Sequence, residues 1–452
     1  MMQRLKVSDN QRFLAYEDDT PFFWLGDTAW ELLHRLNAEE ASEYLSHRAK
    51  LNYNVIQTVA LAELDGLKTG NAYGRKPLKR NAFGQYDPGL PDTDGEYHYW
   101  NHVDYVIDQA ASLGLYVALL PTWGDKFNKL HGVGPVVFHE QNAGEYGQWL
   151  GSRYKDRPNV IWVLGGDRPL ASYEHFAIIR AMAQGLRRGD GGLHLMTFHP
   201  QGWQSSSYHM HDEPWLDFNM VQSGHGSRGI INYTKVSEDY AKHPVKPVLD
   251  AEPCYEDIPI GFKPENGYFD ESDVRVAAYY AVFSGAFGHT YGQHSIWSMT
   301  TEPNDNALMH WRNALSRPGA AQMQHLRALM ESRPFFGRMP NQGLIANNRP
   351  GANYMAATSG PGYAMIYIPN GASVEVVGGM IEGVRLAASW FDPRHGGYIH
   401  EGVIDNTGLL SFQPPSGGRG NDWVLVLDAV HGETEQDEIN GLDGEGGTVL
   451  CG

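Results

Sequence analysis

Cysteine is nearly absent. Two in 452 residues, Cys254 and Cys451, exclude a disulfide framework, although one bridge is formally open. Positive charge is also scarce: 35 Lys and Arg against 53 Asp and Glu give a formal net charge of −18. A surface of that sign disfavours nucleic acid and anionic membranes, which select basic faces. No run of about 18 apolar residues occurs, so no membrane span is expected. The N-terminus, MMQRLKVSDNQRFL, has no apolar stretch of the signal-peptide kind. The expectation is a cytoplasmic chain, periplasmic or secreted only if a leader has been removed. A G-x-S-x-G elbow, a Walker loop and a G-x-G-x-x-G after a strand are all missing. Phosphate and dinucleotide chemistry therefore has no support, and no cofactor is expected.

Apolar residues, in contrast, make up 42% of the chain, with 12 Trp and 24 Tyr, enough for a large core. The length favours two domains. From about residue 20 to 335, short runs rich in β-branched and aromatic residues alternate with segments of helical periodicity. Such alternation points to an α/β fold with a parallel sheet. The candidate strands are 22–25, 54–61, 116–122, 160–164, 194–198, 218–222, 247–251 and 288–291. Eight is the number that a (β/α)8 TIM barrel requires. Trp100, Val103, Val106, Ile107, Ala110 and Leu113 mark a helix stopped by Gly114. Val274, Ala277, Ala278, Ala281 and Val282 mark another before Gly285, and 320–332 the helix that ends the barrel.

Residues 1–335 thus read as the barrel. Residues 338–430 hold short alternating runs between Gly, Pro and Asn turns and read as a small all-β antiparallel sandwich. Residues 431–452 read as an acidic, Gly-rich tail, with a homo-oligomer built through the tail or the β-domain left open.

A parallel barrel places its site at the C-terminal strand ends. The expected rim carries Asp27 and Trp30 after strand one, Trp123 after strand three and Gly165-Gly166-Asp167-Arg168 after strand four. It continues with His199, His225 and Glu252 after strands five, six and seven. Strand eight adds His289, Tyr291, Gln293 and His294. Asp167 and Glu252 end strands on opposite sides of the mouth. Glycosidic hydrolysis needs such a pair, one group protonating the leaving oxygen while the other attacks or activates water. The glycines before Asp167 would let substrate come close to the backbone. The plainer alternative makes Asp167 a helix N-cap paired to Arg168. Asp250, two residues before Glu252, is expected to point inward lower in the barrel, as a structural group. Asp27, Trp30, Trp123, His199, His225, Tyr291 and Gln293 are the candidate substrate contacts. His209-Met210-His211-Asp212 has metal-ligand residue types at poor spacing, and Cys254 lacks an identifiable base. No metal is expected.

The runs PFFWLGDTAWELLHRL, NVIQTVAL, NVIWVLGGDRP and KPVLDAEPCYE together resemble the apiosidase-like glycoside hydrolases, over nearly all of the barrel. WFDPRHGG (390–397) and DWVLVLDA (422–429) resemble the collagen-binding-type β-domain that usually follows it. The resemblance implies a (β/α)8 catalytic domain related to retaining barrel glycosidases. In that group the acid/base follows strand four and the nucleophile strand seven, here Asp167 and Glu252. Most of the wider group has Asn-Glu at strand four; this chain has Gly-Gly-Asp, as the apiosidase-like members do. The expected activity is retaining, exo-acting hydrolysis of a carbohydrate or glycoside, with apiose implied only by the relatives. The rivals are a non-catalytic sugar-binding protein and a metal-dependent hydrolase using the rim histidines.

Overall fold

The computed structural model describes residues 2–229 and 231–430, so the tail expected at 431–452 lies outside the described residues. Eight parallel strands form the barrel: β1 (Trp24–Thr28), β2 (Val55–Val59), β3 (Tyr116–Leu120), β4 (Val160–Gly165), β5 (Met196–His199), β6 (Asn219–Gln222), β7 (Val248–Asp250) and β8 (Gly288–Tyr291). Their order in the sheet is β5-β4-β3-β2-β1-β8-β7-β6, with the short strand Gln204–Ser205 added antiparallel on β6. Every residue of β2, β3 and β4 is buried. That is why these strands read as continuous apolar runs: one face meets the barrel interior and the other the helices. In β4, Ile161 and Val163 join one core cluster while Val160, Trp162 and Leu164 join a second, with the helix residues Ile179 and Met182.

Between β5 and β6 the strands form no ladder among the described residues. The seam is bridged instead by Thr197 Oγ1 donating to the Phe218 carbonyl (2.7 Å) and Asp217 N to the Met196 carbonyl (2.9 Å). The Asp217 carboxylate in turn accepts from Met196 N at 2.7 Å.

The first strand differs from expectation. Pro21–Phe22 belongs to a separate three-stranded antiparallel sheet with Leu5–Val7 and Leu14–Tyr16. The barrel strand begins at Trp24 and runs through Thr28, so Asp27 lies within it and not beyond its end.

The helices that matter for the site are α1 (Ala38–Lys50), α2 (Tyr99–Ser112), α3 (Tyr173–Asp190), α4 (Glu271–Phe283) and α5 (Pro318–Glu331). Helix α1 starts at a capping box, with Asn37 Oδ1 accepting from Glu40 N and Glu40 accepting from Asn37 N. Helix α2 buries Trp100, Val103, Val106, Ile107 and Ala110, the face that its spacing predicts. No helix among the described residues is long and apolar enough to cross a membrane.

After the barrel come β9 (Ala356–Gly360), β10 (Tyr363–Ile368), β11 (Val374–Val377), β12 (Arg385–Phe391), β13 (Tyr398–Asp405), β14 (Leu409–Phe412) and β15 (Trp423–Ala429). The larger antiparallel sheet runs β9-β10-β15-β12-β13, with Met339–Pro340 on its β9 edge; β11 pairs with β14. Strand β10 is buried on both faces: Ala364, Ile366 and Ile368 fill the sandwich core, while Tyr363, Met365 and Tyr367 join the core shared with the barrel. There the Tyr367 ring stacks on Tyr279 of α4 with centroids 4.7 Å apart. A buried ion pair, Arg275 Nη2 to Asp422 Oδ1 at 2.7 Å, ties α4 to the residue before β15.

Candidate active site

Strand β4 ends in a turn that demands glycine. Gly165, Gly166 and Asp167 have φ of +92°, +110° and +52° in succession. A Cβ at Gly165 would stand 2.4 Å from the His199 carbonyl oxygen, and one at Gly166 2.7 Å from Gly124 N. Gly166 N donates to the His199 carbonyl (3.2 Å), and Gly124 N to the Gly166 carbonyl (3.0 Å). The turn is thus wedged between the ends of β3 and β5 and carries Asp167 into the cavity. Asp167 itself is a non-glycine residue held in the left-handed region, a costly conformation that concentrates at functional sites. It does not cap α3; Ser172 does, accepting from His175 N. The pairing to Arg168 is real: Nη1 donates to Asp167 Oδ2 at 3.0 Å. Both residues nevertheless line the cavity, and 29% of the Asp167 side chain stays exposed.

Glu252 lies two residues past β7, nearly buried. Gln222 Nε2 donates to its Oε1 at 3.0 Å, and His225 Nε2 lies 3.2 Å from the same oxygen. His199 Nε2 lies 3.0 Å from Oε2. His199 Nδ1 is 3.0 Å from the Pro200 carbonyl, which only accepts, so that nitrogen carries a proton. Behind His199 stand Trp30, edge-on at 5.3 Å, and Trp123 at 6.0 Å.

The two carboxyls sit in contrasting surroundings. Burial raises Asp167 above the ordinary aspartate range, and the charge of Glu252 raises it further, against the pull of His199 and Arg168. Burial would raise Glu252 too, but the hydrogen bonds and charges of His199 and His225 outweigh it and hold Glu252 well below the usual range. One carboxyl is set to keep its proton, the other to lose it. Asp250, lower down, accepts from Ser223 Oγ (2.7 Å) and Asn232 Nδ2 (2.8 Å), is fully buried, and is pushed up by burial to about 6.

Both carboxyls open into one cavity of about 980 Å³, whose lining includes Trp30, Trp123, His225 and His294. Four of the expected substrate contacts do not line it, and one of these is His199, fully buried beside Glu252. Asp27 is fully buried and holds Arg48 Nε and Tyr44 Oη of α1, both at 2.6 Å. Tyr291 donates to Glu256 at 2.5 Å. Strand alternation turns both towards the helix layer instead of the mouth. Gln293 caps the short helix His294–Trp297 and donates to Asp257 at 2.9 Å. His289 is also fully buried, outside the cavity lining.

Other lining residues escaped the sequence reading: Glu63, Trp203, Gln222, Tyr255, Phe262 and Trp297. Gln222 was within reach, as the last residue of the sixth apolar run. Glu63 follows β2 by four residues; its carboxyl accepts no hydrogen bond among the described residues and is raised well above the normal range, first by burial. His211 uses its ring nitrogens on Asn219 (3.1 Å) and the Pro244 carbonyl (2.9 Å). Among the described residues, no group of three or more His, Cys, Asp or Glu is placed to hold a metal ion. Cys254 is a buried free thiol whose pKa burial pushes up.

An (β/α)8 barrel with a carboxyl pair in a sugar-sized cavity at its C-terminal face defines a barrel glycoside hydrolase. Residues 8–337 match the family described as "Apiosidase-like, catalytic domain", and residues 339–428 match "Putative collagen-binding domain of a collagenase". A solved structure titled glycoside hydrolase is 36% identical with a TM-score of 0.84, covering 95% of this chain and 98% of that one. A glycoside hydrolase family 5 protein from Bacteroides vulgatus is also 36% identical with a TM-score of 0.84, covering 94% and 93%. Among curated proteins none matches. The chain belongs to the apiosidase-like family of glycoside hydrolases.

Proposed function

We propose that this hydrolase is retaining and exo-acting, releasing a terminal sugar from an oligosaccharide or glycoside, with a furanoside such as apiose the first candidate. The observation that carries the roles of the two carboxyls is that Asp167 and Glu252, from the ends of β4 and β7, line one cavity in opposed environments. In the first step Asp167 gives its proton to the glycosidic oxygen while Glu252 attacks the anomeric carbon; the C–O bond breaks and the aglycone leaves as an alcohol. In the second, Asp167 takes a proton from water, whose oxygen attacks the same carbon and frees Glu252. A cavity of about 980 Å³ suits a sugar and its neighbour better than a stretch of polymer, which supports exo action. The family match supports apiose as the sugar to try first.

A panel of aryl glycosides, furanosides included, with NMR of the first-formed anomer, tests the reading. Retention is expected, and an inverted first product overturns it. Asp167→Asn and Glu252→Gln should each lower turnover by about 10³-fold or more with the fold intact by circular dichroism. Near-native activity in either removes the role given to that residue.

A further inference from the structure

Trp203 and Phe262 are large, apolar and exposed, at 42% and 66%, and both line the cavity. Both also have a left-handed backbone, φ +59° and +61°. Bulky side chains rarely occupy that region, and burial does not compensate for it here. What holds the two residues is main-chain hydrogen bonding to the residues around Glu252. Trp203 N donates to the Gln222 carbonyl at 2.7 Å. Gly261 N donates to the His225 carbonyl at 2.8 Å, and Phe262 N to the Pro259 carbonyl at 2.9 Å. The Phe262 ring stands edge-on to His225, centroids 5.7 Å apart. The loops after β5, β6 and β7 therefore form one wall, keyed through Gln222 and His225 to the carboxylate that those side chains hold.

Trp30 and Trp123 differ. They are 2% and 3% exposed, with centroids 5.2 Å apart, and pack about His199 at the floor. Among the described lining residues, Trp203 and Phe262 are the exposed large aromatics; Trp297 is only partly so. Of the two, Trp203 follows β5, the neighbour of β4, whose end carries Asp167, while Phe262 follows β7 on the side of Glu252. The group that departs must lie within reach of the acid that protonates it.

We infer that Trp203 and Phe262 form the subsite for the leaving group, and that they select one with a flat apolar face, whether a phenolic ring or the C–H face of a pyranose. The inference rests on the hydrolase reading. Backbone strain is accepted at both positions because it sets the rings out from the wall, where substrate and not core covers them.

Binding and turnover test it separately. Wild type, Trp203→Ala, Phe262→Ala and Glu252→Gln are titrated with 4-nitrophenol, as the aryl arm, and with methyl β-D-glucopyranoside, as the pyranose arm, by saturation-transfer NMR. At least one probe should bind wild type and Glu252→Gln alike and bind each alanine variant about fivefold or more weakly. Trp203→Tyr and Phe262→Tyr, which keep a ring, should restore binding. On the panel substrate with the best turnover, each alanine variant should lower kcat/KM for the aryl glycoside about tenfold relative to the methyl glycoside. Failure of both probes to bind wild type, or binding unchanged in both alanine variants while hydrolysis proceeds, overturns the wall alone. Probe binding with no hydrolysis anywhere on the panel overturns the hydrolase reading and with it the leaving-group assignment.

Discussion

At the scale of single residues, the molecule separates two carboxyls by their company. Asp167 meets water, one guanidinium and a like charge; Glu252 meets two imidazoles and an amide. The proposed route needs Asp167 protonated and Glu252 ionised. Since Glu252 is held low and Asp167 high, kcat/KM should be bell-shaped. Its acid limb should lie below the usual carboxylate range and its basic limb above it. The pH profile of the most reactive aryl glycoside checks this. His199→Gln should move the acid limb upward, because Glu252 loses an imidazole that favours its charged form.

At the scale of elements, the end of β4 is a turn with three successive left-handed residues. Gly166→Ala puts a methyl group where only 2.7 Å separates it from Gly124 N, at a φ of +110°. The expected result is a protein that folds with reduced stability and loses most turnover because Asp167 is displaced. Thermal melts and kinetics on the same preparation check both halves. The glycines and the carboxylate were legible in sequence because they follow a run buried on both faces, whose end is sharp. The first strand was not. Phe22, Phe23, Trp24 and Leu25 form an unbroken apolar run, yet a sheet boundary falls inside it, between Phe22 and Trp24. Composition carries no mark of which strand each residue joins. Asp27 was placed at the rim by that error, and its Arg48 partner lies in a helix 21 residues on. Tyr291 was misread for another reason, since alternation within a buried strand cannot be phased from an apolar run alone. Trp203 and Phe262 stayed invisible because a left-handed backbone at an aromatic residue leaves no pattern in the neighbouring sequence.

At the scale of the whole molecule, barrel and sandwich share a core across α4 and β10, with Arg275 and Asp422 buried within it. Asp422→Ala leaves the guanidinium without its charge partner and should cost about 3–5 kcal/mol in denaturant unfolding. The double replacement Arg275→Met with Asp422→Leu should recover most of it, and activity at low temperature should survive in both. Stability against pH combines opposing groups. Burial raises Asp217 and Asp250 to about 6 and Glu256 to about 7. A carboxyl raised in the folded state stabilises most below its unfolded pKa, and that contribution is lost as pH rises through the folded value. Burial lowers His102 and His294 to about 4 and His289 to about 3, so these groups stabilise as pH rises over the interval from those values to about 6.5. The two sets offset one another in wild type. Glu256→Gln removes one carboxyl, so its stability relative to wild type should grow between pH 5 and 7 by at most about 1.4 kcal/mol per pH unit, read from paired denaturation curves.

The unladdered seam bears on the catalytic cycle itself. Asp167 stands at the end of β4 and His199 at the end of β5, on one bank; Gln222, His225 and Glu252 stand on the other. Glu252 reaches over the gap to His199, so the proposed nucleophile is also a clasp between two staves that no backbone ladder joins. If it is esterified to the sugar as proposed, its charge is gone, and between the departure of the aglycone and the arrival of water His199 faces no carboxylate across that seam.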